Sequence, residues 1–144
     1  MKSRTEHVRD LFLRVADDLK VAVREAATAD PVATAVCFHS QQAAEKVLKT
    51  WLEWRGEVPP RVHSLSVLLT ECVRLDPVFA PLWDVRALTP YSVEARYAVG
   101  ADRPSVDEAR EALALALKAV RFIVEQRRAE GVDVADLLPD LPEA

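Results

Sequence analysis

The run from Ser105 to Arg128 constrains this chain most. Ser105 and Glu108 stand three residues apart at its head, the spacing of a capping box in which each side chain satisfies an amide of the first helical turn. Val106, Ala109, Leu113, Ala116, Leu117, Val120, Ile123 and Val124 then recur at helical spacing, which puts them on one face. Leu115, Ala119 and Phe122 widen that stripe beyond what one core needs. Arg127 and Arg128 suit the negative end of the helix dipole. A chain with one such segment needs further helices to cover it.

The rest of the sequence supplies them. Val8, Leu11, Phe12, Val15, Leu19, Ala22 and Ala26 predict a first helix from about Thr5 to Ala29. Asp30-Pro31 reads as a cap followed by proline at the first helical position, opening a second helix that reaches Arg55 and stops at Gly56. Ser64 to Leu75 forms a third. Pro81 and Pro90 break the next stretch into a short helix around residues 80–88 and a turn or two around 90–97. The expectation is an all-α, up-down bundle of four to five helices over residues 1–129. Residues 130–144 read as a flexible acidic tail. The surplus apolar surface predicts a homodimer with the first or last helix at the interface.

Composition removes several function classes. Glycine occurs only at 56, 100 and 131, which excludes the clustered glycines of a P-loop or Rossmann phosphate cradle. Cys37 and Cys72 form no Cys-x-x-Cys pair and read as buried, reduced thiols. His7, His39 and His63 have no His or Cys a helical turn away, so no metal site and no cofactor is expected. No apolar stretch follows the N-terminal charges, and no run is long enough to span a membrane; a cytoplasmic location is expected. The net charge is −4. Glu130, Asp133, Asp136, Asp140 and Glu143 account for more than all of it, leaving a body with 19 basic and 18 acidic residues. Such a body is no duplex-DNA binder.

Two segments carry candidate chemistry. In Ser40-Gln41-Gln42-Ala43-Ala44-Glu45-Lys46-Val47-Leu48-Lys49, polar residues recur at four-residue steps; read plainly, this is a solvated ridge with a Glu45–Lys49 helix pair. In Thr89-Pro90-Tyr91-Ser92-Val93-Glu94-Ala95-Arg96-Tyr97, two rings and a guanidinium offer stacking surfaces and a fork for phosphate. Read plainly, the rings fill the end of the bundle. His39, interrupting an apolar stretch, reads as a hydrogen-bonded core residue.

The run at 41–49, then His63-Ser64-Leu65 opening a helix, then Tyr91, Arg96-Tyr97 and a long final helix, resembles the HEPN domain family over about residues 5–128. The resemblance implies a dimeric helical bundle that binds nucleotides or RNA. It also implies pairing with a minimal nucleotidyltransferase, often as a toxin–antitoxin system. Many members are metal-independent endoribonucleases that use an Arg followed, four to six residues on, by a His. Here Arg55 and His63 have seven residues between them, and Arg96 has no histidine after it.

The leading expectation is therefore a binding module without that motif, contacting a nucleotide or RNA phosphate through Gln42, Lys46, Lys49, His63, Tyr91, Arg96 and Tyr97. One alternative is a ribonuclease with a non-standard set, in which Arg96 would stabilise the phosphate and His63 or Tyr97 would move a proton. The other is a purely structural interaction bundle.

Overall fold

The computed structural model describes residues 3–92 and 103–142. Four α-helices dominate: α1 (Arg4–Ala26), α2 (Ala33–Trp54), α3 (Leu65–Leu75) and α4 (Val106–Ala129). A 3-10 helix over Pro77–Tyr91 lies between α3 and α4, and a 3-10 turn at Ala135–Leu137 follows α4. No strand occurs among the described residues. The all-α bundle is as the sequence predicts.

Helix boundaries follow local chemistry. Ser3 with Glu6 and Ser105 with Glu108 both form complete capping boxes. The Ser64 side chain caps α3. The start of α2 differs from the expected Asp30-Pro31 cap: Val32 holds the N-cap position without a side-chain bond. Instead its N–H donates to the Glu25 carboxylate, 3.3 Å away on α1. α1 also ends earlier than expected, where the Thr28 hydroxyl donates to the Glu25 carbonyl at 2.8 Å. At the end of α2, Gly56 has φ +85°. The Glu57 N–H reaches the Leu52 carbonyl and the Gly56 N–H reaches Glu53, a Schellman ending that requires this backbone sign.

The short helix expected around residues 80–88 and the start of the turn expected around 90–97 are one 3-10 helix over Pro77–Tyr91; residues 93–97 of that turn lie outside the described residues. Phe79, Leu82, Val85 and Leu88 are all buried and recur every third residue. That is the period of a helix with three residues per turn. Pro81 and Pro90 lie inside it and lack the amide an α-helix would use. Lys118 of α4 holds this segment through Asp84, at 2.8 Å, and the Pro81 carbonyl, at 3.0 Å.

α2 is the central element, packed against α1 on one side and α4 on the other, while α3 lies on the 3-10 helix. Trp51 is the largest fully buried side chain. Its ring meets Phe79 with centroids 4.2 Å apart, and Phe79 meets Phe122 edge-on at 5.0 Å. Ala119 is buried, and Leu115 and Phe122 pack against the same core. The wide stripe on α4 is thus covered within one chain. After Gly131, in the segment expected as an acidic tail, Val134 is buried and Leu138 and Leu141 pack onto the core. No described helix is long and apolar enough to cross a membrane.

Candidate phosphate-binding seam on α2

Five polar side chains are buried in the interior of α1 and α2: Asp18, Ser40, Gln41, Glu45 and Thr50. Burying a carboxylate is costly unless it is paired and hydrogen-bonded. Both buried carboxylates are.

Asp18 projects from α1 towards α2. One oxygen accepts from His39 Nδ1 at 2.8 Å, and the other from Lys46 Nζ at 2.6 Å. His39 and Lys46 are seven residues apart, two turns along one face of α2. Asp18 therefore ties two helices together by a charged clamp.

Glu45 sits one residue before Lys46, about 100° round the helix. Its Oε1 accepts from Gln41 Nε2 at 3.0 Å and from His63 Nδ1 at 3.0 Å. Its Oε2 accepts from Lys49 Nζ at 3.1 Å. Gln42 extends the chain by donating to the Gln41 amide oxygen at 2.6 Å. Burial alone would push the Glu45 carboxyl up. The bonds from Gln41, His63 and Lys49 outweigh burial and hold it below its ordinary value. Glu45 is thus ionised at neutral pH and an acceptor only. His63 Nδ1 therefore carries a proton and donates it to this carboxylate.

The two clamps form a continuous polar seam along α2. The lysines are anchored at their ammonium tips and remain partly exposed: the side chains of Lys46 and Lys49 keep about a quarter and a fifth of their exposure, and that of His63 almost half. Cations held in place this way lose little further freedom on meeting an anion.

Of the residues the sequence singles out, the structure brings Gln42, Lys46, Lys49 and His63 into this seam. Tyr91 stands elsewhere. It shares a hydrogen bond with Cys37 and lies in the field of Glu108 and Glu111, near the start of α4. Burial first, then these neighbours, raises its pKa. Arg96 and Tyr97 lie outside the described residues.

Sequence reasoning missed Asp18 and underrated Gln41 and Glu45, while His39, read as hydrogen-bonded, bonds to Asp18. Asp17 is exposed and Asp18 buried, although the two are neighbours in sequence. The missed signal is spacing. Asp18 lies three residues after Val15 and four before Ala22, and Gln41 lies four after Cys37 and three before Ala44. Both fall on apolar stripes. Among the described residues no cluster of three or more His, Cys, Asp or Glu could hold a metal.

Comparison with known proteins places the fold. The crystal structure of an archaeal HEPN homologue matches with a TM-score of 0.64 and 27% identity, covering 88% of this chain and 98% of that one. No curated protein matches the chain. The family model for the HEPN domain matches residues 8–139, nearly the whole bundle, and the chain belongs to the HEPN domain family.

Proposed function

We propose that this protein is a dimeric HEPN module that binds the phosphate of a nucleotide or RNA along the α2 seam and pairs with a minimal nucleotidyltransferase in a toxin–antitoxin-type system. One observation carries the phosphate reading. Lys46 and Lys49 are held on one helix face by buried carboxylates, and each of those carboxylates also binds a histidine. The dimer and the partner enzyme rest on the family. The absence of an Arg-His pair at the ribonuclease spacing favours binding over cleavage. The test is titration of the purified protein with a fluorescent single-stranded oligoribonucleotide at low salt. Saturable binding that weakens in Lys46→Gln and Lys49→Gln supports the reading; wild-type protein that leaves the RNA free refutes it.

The Glu45–His63 pair favours a second reading, a metal-independent endoribonuclease. A buried carboxylate orients an exposed imidazole, the arrangement of a general base. Cleavage of RNA in EDTA, abolished in a folded His63→Ala variant, would select it.

A further inference from the structure

The far end of the bundle gathers a second set of cations. Three chain segments meet there: the start of α1, the end of α2 and the end of α4. Together they line a groove with Arg4, Arg55 and Arg127 on its walls and Trp54 and Gly56 between them. The Arg127 guanidinium sits over Trp54, its carbon 4.3 Å from the ring centroid, and Trp54 is itself backed by Phe12 at 5.7 Å. The fork is therefore fixed in orientation. Arg55 stacks in the same way on Trp51 at 5.2 Å.

Helix capping does not account for these guanidiniums. Both helices close with Schellman bonds. Gly56 and Glu57 take the carbonyls of Glu53 and Leu52, and Gly131 and Val132 take those of Arg128 and Arg127. Only Arg4 caps a helix, donating to the Glu53 carbonyl. Carboxylates do not balance them either. Glu53 turns to His7, 3.1 Å away. Glu130 alone serves Arg127 at 2.7 Å and Arg55 at 3.8 Å. Arg127 and Arg55 thus share one exposed carboxylate, while Arg4 is engaged by a backbone carbonyl. The Nε of Arg127 is buried and has no hydrogen-bond partner among the described residues.

We infer that this groove is a phosphate-binding site, built for a dianion that displaces Glu130 and accepts from Arg127 and Arg55 as two forks. The chemistry is that of inorganic phosphate or the terminal phosphate of a mononucleotide. The site is separate from the α2 seam and does not depend on the seam's function.

The test follows the arginine Nε–H signals by NMR in full-length protein, assigned with the variants, as inorganic phosphate, AMP or adenosine is added at constant ionic strength. The expected result is a saturable shift of the Arg127 signal by phosphate and AMP, with a dissociation constant of about 1 mM or tighter, and none by adenosine. A shift with AMP alone would assign the site to nucleotides, and one with both to the phosphate group itself. Arg55→Gln and Arg4→Gln should each weaken the effect at least fivefold, while the Lys46→Gln/Lys49→Gln double variant leaves it unchanged. Arg4→Gln removes an exposed side chain and keeps the test open if Arg55→Gln fails to fold. An Arg127 signal that moves no more with phosphate than with chloride, or moves equally in the arginine variants, would overturn the inference.

Discussion

His63 Nδ1 lies 3.0 Å from Glu45 Oε1, so the loop residue ahead of α3 is bonded to a carboxylate buried in the middle of α2. That bond makes one side chain both a strut and part of a surface. Glu45 accepts three donors in all. Removing it leaves Gln41 buried and unsatisfied and Lys49 without its ion partner. Glu45→Ala should cost about 2–3 kcal/mol in urea unfolding. Glu45→Gln should cost less, because it keeps the volume and one acceptor. Equal stability of Glu45→Ala and wild type would remove the strut.

The same group sets an acid limit. Its folded pKa is held below the ordinary 4.5 by Gln41, His63 and Lys49. A depressed carboxyl contributes stability that is complete above the unfolded value and is lost as pH falls through the folded one. Unfolding midpoints should therefore fall as pH drops below about 4.5. Glu45→Gln should show a shallower acid limb than wild type. Parallel limbs for the two proteins would assign the acid sensitivity to other carboxylates.

Both cysteines should be silent in the folded state. Cys37 and Cys72 are 1% and 0% exposed. Burial pushes their thiols up to about 11 and about 12, where Tyr91 partly opposes the shift at Cys37 and Glu71 adds to it at Cys72. The thiolate is the reactive form. A thiol reagent at pH 8 should label neither until denaturant is added, then both. Rapid labelling of native protein would contradict the packing around α2 and α3.

The core should answer most strongly at Phe79. This ring touches both Trp51 and Phe122 and joins the 3-10 helix to α2 and α4. Phe79→Ala should cost about 3–5 kcal/mol, measured by denaturant unfolding. A loss near 1 kcal/mol would mean the segment packs far more loosely.

The sequence carried the bundle and much of its punctuation, because the capping box at Ser105 and the glycine stop at Gly56 act locally; the Ser3–Glu6 box, two residues ahead of the expected start at Thr5, went unread. It carried the 3-10 helix too: Phe79, Leu82, Val85 and Leu88 repeat with a period of three, yet the prolines drew the reading towards breakage. The site was legible in part. Gln41, Glu45 and Lys49 stood out as a polar ridge with Gln42 and Lys46 beside it, but a surface ridge and a buried network share that spacing. What separates them is Asp18, 28 residues before Lys46, and His63, 18 residues after Glu45. Such pairings depend on how α1 and the loop before α3 pack on α2, and no local pattern encodes that.

The central claim is that the α2 seam binds phosphate through Lys46 and Lys49. The most direct measurement is the salt dependence of affinity for a single-stranded oligoribonucleotide, in wild type and in the Lys46→Gln/Lys49→Gln double variant. Each phosphate contact on a single strand contributes about 0.7 to the slope of log affinity against log salt. The double variant should bind more weakly and lose about 1.4 of that slope. An unchanged slope and affinity in a folded double variant would contradict the account.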